Sequence, residues 1–322
     1  MRLALCMIAA CAATAVSPGY SQEKEGFSLG NGESRATVTA INGNPLRVNV
    51  GSDNSFQVFN ASIPGAGQIY PSNEALADFG WMLRVGSTLF TPDFRSRPSA
   101  TAGLGMTTNF SEVSTTPVTG NGSATTPFSI TVTARAGTLN LTQVVSYVNG
   151  ENFFRKQMTV NNTSAAPAVV RAFLGADIFL ASSDSGRSQY FSASGAVGGL
   201  TCAGVSPTYN ILLIPQSTPA PTAYTADSFS SVWSQIGAGM LPSTVSPSDC
   251  VDNGAALQWD LDVPAGGSAV IRAATSFGEL PTIIQPPAAA VATPVPTLNM
   301  PGVALLAALA ALGGLVVLRR TA

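Results

Sequence analysis

Apolar and polar residues alternate along much of this chain with a period of two, the spacing of a strand that buries one face. Residues 36–41, a turn at Asn42-Gly43-Asn44-Pro45, and the alternating Leu46, Val48 and Val50 predict a hairpin. Phe128, Ile130 and Val132 open a longer series. It runs through Leu139, Leu141, Val144 and Tyr147, turns at Asn149-Gly150, continues over 153–160, turns again over 161–167 and climbs over 168–180. That series predicts four long strands in an antiparallel meander. Residues 210–215 add a strand, and 256–263 with 268–277 predict a closing hairpin around Pro264-Ala265-Gly266-Gly267. One segment breaks the pattern. Residues 227–240 carry Phe229, Val232, Trp233 and Ile236 at helical spacing behind a capping Asp227 or Ser228, which predicts a short amphipathic helix. Strands without alternating helices predict an all-β fold, a large antiparallel β-sandwich with one short helix over residues 27–280. Two smaller sandwiches divided near 119–127 are the alternative.

The two ends read differently. Arg2 followed by the apolar run 3–13 has the form of a secretory signal, with cleavage after Ser21 (segment 1–21) or after Ala15. At the far end, residues 302–318 form an uncharged apolar run closed by Arg319 and Arg320. As a helix the run spans about 26 Å, enough to cross a bilayer with slight thinning, and the basic pair predicts that it stops on the cytoplasmic side. A Pro/Ala-rich spacer, 281–296, separates it from the body. Val295-Pro296-Thr297-Leu298, then Gly302, the apolar run and Arg319-Arg320 together resemble the IPTL-type C-terminal sorting domain of Gram-negative bacteria, over residues 295–320. Val295 stands where that family has isoleucine, and Asn299-Met300-Pro301 replaces its usual serine, variable residue and tryptophan. The resemblance implies anchoring in the inner membrane, processing by an exosortase-like sorting protease, and delivery to the envelope, surface or medium. It implies nothing about activity.

Composition narrows the chemistry. The chain has 322 residues and no histidine, which removes Ser-His-Asp hydrolysis and His-ligated metal chemistry. Only 10% of residues are charged and only Lys24 and Lys156 are lysine, so no basic patch exists for nucleic acid. Three of the 15 basic residues, Arg2, Arg319 and Arg320, lie in the two ends, which leaves the body mildly acidic against 17 Asp and Glu. Cys6 and Cys11 fall in the signal, so Cys202 and Cys250 are expected to form one disulfide in an exported body. The meander with its Pro-Gly turn is similar in outline to the large sandwiches of the galactose mutarotase-like superfamily. That superfamily's catalysis relies on histidines that this chain lacks.

Four acids on polar loops, Asp177, Asp184, Asp249 and Asp252, offer the hard oxygen ligands that calcium takes, although Asx turns explain the same residues and no metal or cofactor is expected. Asp260 and Asp262 share one strand face and are the candidate pair for carboxylate chemistry, with a solvated face as the simpler explanation. Trp81 is the tryptophan to test first for stacking on sugar. No residue is assigned a catalytic role, and the expectation is an exported, surface-sorted, non-enzymatic body for adhesion, matrix or glycan contact. A carbohydrate-active enzyme using carboxylates alone, and a calcium-dependent binding module, are the alternatives.

Overall fold

The computed structural model describes residues 36–94, 102–216 and 218–278. The signal 1–21, the spacer 281–296, the sorting motif at 295–298, the apolar run 302–318 and the Arg319-Arg320 stop lie outside the described residues. Among the described residues no helix is long and apolar enough to cross a membrane.

In chain order the first half supplies β1 (Val38–Asn42), β2 (Leu46–Gly51), β3 (Ser55–Asn60), β4 (Ala77–Val85), β5 (Thr88–Thr91), β6 (Thr108–Asn109), β7 (Ser111–Thr115), β8 (Phe128–Ala136) and β9 (Leu139–Tyr147). The second half supplies β10 (Phe153–Asn162), β11 (Ala168–Asp177), β12 (Ser185–Phe191), β13 (Ala196–Leu200), β14 (Asn210–Pro215) and β15 (Ala223–Ser228). The one α-helix among the described residues, α1 (Phe229–Ala238), follows, then β16 (Thr244–Val245), β17 (Val251–Val263) and β18 (Ser268–Gly278). They pair almost wholly antiparallel into two sheets. One runs β1-β2-β3-β4-β11-β17-β15-β16, with β5 and β6 appended to the far half of β4. The other runs β7-β8-β9-β10-β18-β14-β13-β12. A short bridge from β12 to β17 joins the sheets at one side. At the opposite edge, the Thr39 hydroxyl of β1 meets that of Thr115 in β7 at 3.0 Å. The all-β, largely antiparallel expectation therefore holds, and the sandwich is nearly closed.

Between the sheets lies the main core. Val48, Phe56, Phe79, Trp81, Leu174 and Leu257 from the first sheet meet Ile130, Val145, Phe154, Met158 and Phe277 from the second, all 0–1% exposed. Phe56 sits 5.0 Å from Phe79 and 5.6 Å from Phe154 between ring centroids, a tilted aromatic cluster of the kind that adds to simple area burial. Trp81 belongs here. Fully buried, with its ring 5.5 Å from Trp259, it offers no face to a sugar, which corrects the expectation placed on it.

Two predicted connections are corrected. β11 does not return beside β10; it crosses to the other sheet and lies between β4 and β17. β17 and β18 likewise do not pair with each other, and the turn at 264–267 is an arch between sheets. The meander is thus β7 to β10. A strand alternates in the same way whichever sheet it joins, so period-two patterning carries no information on this choice. The hairpin of β1 and β2 forms as expected.

The helix covers the outer face of the first sheet, pressing Val232, Trp233 and Ile236 onto Met82, Phe173 and Ala256. Ser228 caps it by accepting from the Ser231 N–H at 3.4 Å, and Gly239 closes it at φ 87°. It spans 229–238 rather than 227–240, because Asp227 and Ser228 are still the end of β15 and Gly239 turns left-handed. A methyl group on Gly175 would approach Ile236 Cδ1 to 2.9 Å, so glycine there permits the contact. Two arginines anchor the other end. Arg84 Nη2 donates to the Gly237 carbonyl at 2.5 Å and Arg171 Nη1 to that of Gly239, which suits the negative end of the helix dipole.

Lys156 is the anomaly of the core. It is 1% exposed, donates from Nζ to Thr275 Oγ1 at 2.5 Å, and lies 4.1 Å from the Phe154 ring centroid and 5.0 Å from that of Phe79. Burial pushes its ammonium well below the usual lysine value. The unfolded chain therefore binds a proton that the folded one resists. Stability from this site is full above the unfolded lysine pKa and is lost as pH falls toward the depressed folded value. Replacing Lys156→Met is expected to raise stability near neutral pH by about 1–3 kcal/mol, and to remove this alkaline-side pH dependence, in thermal melts at stepped pH.

Candidate functional site

The turn between β2 and β3 is built around one carboxylate. Asp53 accepts from the Ser55 N–H at 3.1 Å and the Ser55 hydroxyl at 2.6 Å through Oδ1, and from the Asp93 N–H at 2.8 Å through Oδ2. Gly51 leaves room for this arrangement, since a Cβ there would stand 2.5 Å from both Asp53 Oδ1 and Ser55 Oγ. Next to Asp53, Asn54 adopts φ 69° and is 1% exposed, and neither atom of its side-chain amide has a hydrogen-bond partner. Such costs collect where a structure serves something other than stability.

A second unusual backbone faces that turn. β6 and β7 meet at Phe110, whose N–H donates to the Thr91 carbonyl at 3.0 Å, and the pairing of β7 with β8 then slips between Ser111 and Ser114. The slip is a β-bulge, a device that re-aims side chains beside sites. Within it Glu112 takes φ 51°, a conformation that L residues with side chains rarely adopt. Its carboxylate extends outward and accepts from Arg135 Nη1 at 2.9 Å.

Between turn and bulge lies a cleft of about 340 Å³, lined among others by Asp53, Asp93, Asn109, Phe110, Ser111 and Glu112. Its size is at the lower end of small-ligand sites. Three carboxylates, one held by three donors and one open to water, share it with an amide, a hydroxyl and an aromatic ring. That mixture can hydrogen-bond a polyhydroxylated ligand. Sequence reasoning missed this cleft. Its acids stand at 53, 93 and 112, with no motif linking them, and only the positive φ at Asn54 and Glu112 marks them out.

The structure gathers three of the four acids singled out on loops. Asp177, Asp184 and Asp252 come together where β11 ends and β12 meets β17, with one oxygen from each within 4.8 Å of the others. Gly254, opposite Asp177 in the register, passes the first residue of α1, so the cluster sits near that helix's N-terminal end. Its oxygens could surround a hard divalent cation. Asp249 is apart and accepts from the Ala203 N–H at 3.2 Å, beside the disulfide Cys202–Cys250 that ties two loops together. Asp260 is committed to Arg171 at 2.5 Å and also accepts from Gln258. Asp262 stands exposed opposite Val169, so the pair forms a solvated face.

No family model matches this chain, and no curated protein matches it. Solved structures do. It is similar to a kojibiose phosphorylase from the human microbiome (TM-score 0.35, 7% identity, 75% of this chain and 25% of that one). It is similar also to a bacterial glucoamylase complexed with acarbose (0.45, 9%, 78% and 34%) and to a polysaccharide lyase (0.39, 10%, 77% and 33%). This chain thus spans a quarter to a third of their lengths. All three are carbohydrate-active enzymes by name, and the expectation of a non-enzymatic body is withdrawn on that finding. At these TM-scores the likeness lends this chain no site and no substrate, so its function has to rest on its own residues.

The bulge yields a test. Glu112→Gly relieves the left-handed strain and removes the cleft carboxylate together. Its melting temperature is expected to stay level or rise, by up to about 1 kcal/mol in stability, while any ligand binding in the cleft weakens. A clear drop in melting temperature would show that Glu112 is there for the fold.

Proposed function

We propose that this is an exported, carbohydrate-active protein whose sandwich engages glycan through the carboxylates of the Asp53–Asp93–Glu112 cleft. The observation that carries the reading is the pairing of a donor-ringed Asp53 with a Glu112 set at φ 51° across one cleft. Histidine is not needed for such chemistry. In glycosidic-bond cleavage one carboxyl group hands a proton to the leaving oxygen while the other stabilises or captures the sugar carbon. Glu112, exposed beside the cleft and paired with Arg135, is the carboxylate within reach of solvent. Asp53, fixed by three donors, has the rigidity to hold a sugar in place.

The two ends of the chain support the rest of the reading. The signal at 1–21, the motif Val295-Pro296-Thr297-Leu298 with Gly302, the apolar run 302–318 and the Arg319-Arg320 stop fit export, membrane anchoring and handling by an exosortase-like sorting protease. The Cys202–Cys250 disulfide fits an oxidising compartment. Partners on this reading are the membrane, the sorting protease and an extracellular glycan.

The test is reducing-sugar release, or the appearance of unsaturated ends, from a panel of neutral and acidic polysaccharides. Activity on at least one is expected, with Glu112→Gln lowering it by about 100-fold or more at unchanged melting temperature, and Asp53→Asn lowering both activity and melting temperature because an amide NH2 then faces one of the three donors. A panel with neither turnover nor binding would overturn the reading. Peptide mapping of membrane and medium fractions tests the sorting: a mature chain starting after Ser21 and ending near Leu298 is expected in the medium, and an intact 302–322 found only in membranes would exclude processing.

A further inference from the structure

The outward face of β8, β9, β10 and β18 differs from the rest of the body in its charges. No Asp or Glu occurs anywhere on these four strands, in a body that is acidic as a whole. Their outward positions are mainly small hydroxyl and amide side chains, in register across the strands. Thr133, Thr142 and Thr159 form one cross-strand row, which Ser114 of β7 extends by a 2.7 Å hydroxyl contact with Thr133. The neighbouring row is Arg135, Asn140, Asn161 and Ser268. These side chains are partly or fully exposed, and the two rows span about 20 Å across the strands and about 7 Å along them at ordinary strand spacing.

The arginines on this face are already engaged. Arg155 grips Glu151 with two hydrogen bonds at 2.6 and 2.9 Å, Arg135 holds Glu112, and Arg272 Nε donates to Gln157 at 2.7 Å. An acidic partner would have to compete with those contacts, and a cationic one would meet guanidinium groups. A partner rich in hydroxyls and without charge fits best, because hydroxyl and amide groups both donate and accept. The face is also continuous with the cleft, since Glu112 lines the cleft and touches Arg135 of the second row.

We propose that this face is a binding track for an uncharged polysaccharide whose chain continues from the cleft. The proposal rests on the glycan reading above and names the polymer class and the surface that holds it. Affinity on such a track comes from many weak contacts along one chain, so it appears with polymers and fades with short oligosaccharides.

The test is co-sedimentation of the native protein with insoluble cellulose, starch and mannan, and with insoluble pectate as the acidic counterpart, alongside titration with soluble short oligosaccharides that reach only the cleft. The wild-type protein is expected to pellet with at least one neutral polymer. The pair Thr142→Arg and Thr159→Arg is expected to weaken that binding by about tenfold or more while leaving oligosaccharide binding intact. Thr142→Val with Thr159→Val keeps the branched shape and the fold, and is expected to weaken it by a smaller factor. Unchanged polymer binding in the arginine variant overturns the track, as does binding to pectate alone. Oligosaccharide binding without polymer binding overturns the track and leaves the cleft standing. Loss of both in the wild-type protein overturns the track together with the glycan reading.

Discussion

Each sheet of this protein carries an inner face of phenylalanine, valine, leucine and isoleucine, with two tryptophans in the first sheet, that only the opposite sheet can remove from water. Everything else is arranged around that mutual burial. The arches at 163–167 and 264–267 carry the chain from one sheet to the other, so that β10 and β18 pair in one layer while β11 and β17 pair in the other. At these two arches, β10 and β11, and β17 and β18, thus lie in opposite sheets. The aromatic cluster of Phe56, Phe79, Phe154 and Phe277 spans both layers, and it encloses Lys156, whose ammonium form gains ring contacts but loses its water. That lysine is a local conflict within an otherwise consistent core.

Once the inner faces are spent, the outer faces are free to differ. The first sheet's is closed by α1, which Gly175 admits and which Arg84 and Arg171 hold by its last carbonyls. Much of the second sheet's is left as a lattice of threonine, serine and asparagine with its charges balanced from the rim. At the edge where β1 and β7 approach, the layers leave a cleft, and there the backbone departs from regular geometry at Asn54 and Glu112. A two-layer body with irregular backbone at Asn54 and Glu112 beside its cleft is a scaffold that can hold carboxylates in place.

Much of the fold is legible in the sequence because alternation reports directly on one buried face. The long strands, the helix with its Ser228 cap and the Cys202–Cys250 bond all follow from local pattern or from loop position. The assignment of strands to sheets does not, since a turn such as 161–167 reads alike as a hairpin and as an arch. There Asn162 makes the difference, its amide donating to Val263 at the end of β17 and fixing the crossing, a contact 101 residues away. The cleft is equally silent in the sequence. Asp53 reads as a turn residue, Asp93 follows a proline, and Glu112 lies in a polar strand; only the bulge and the folded turn bring them to one place.

The account stands or falls on whether that cleft takes sugar. The most direct measurement is amide chemical-shift mapping of the labelled protein titrated with soluble oligosaccharides drawn from the polysaccharides it meets. Saturable shifts centred on residues 53–55 and 109–113, with smaller ones on β8, are the predicted result. Shifts centred elsewhere, or none at millimolar sugar across the set, would contradict it.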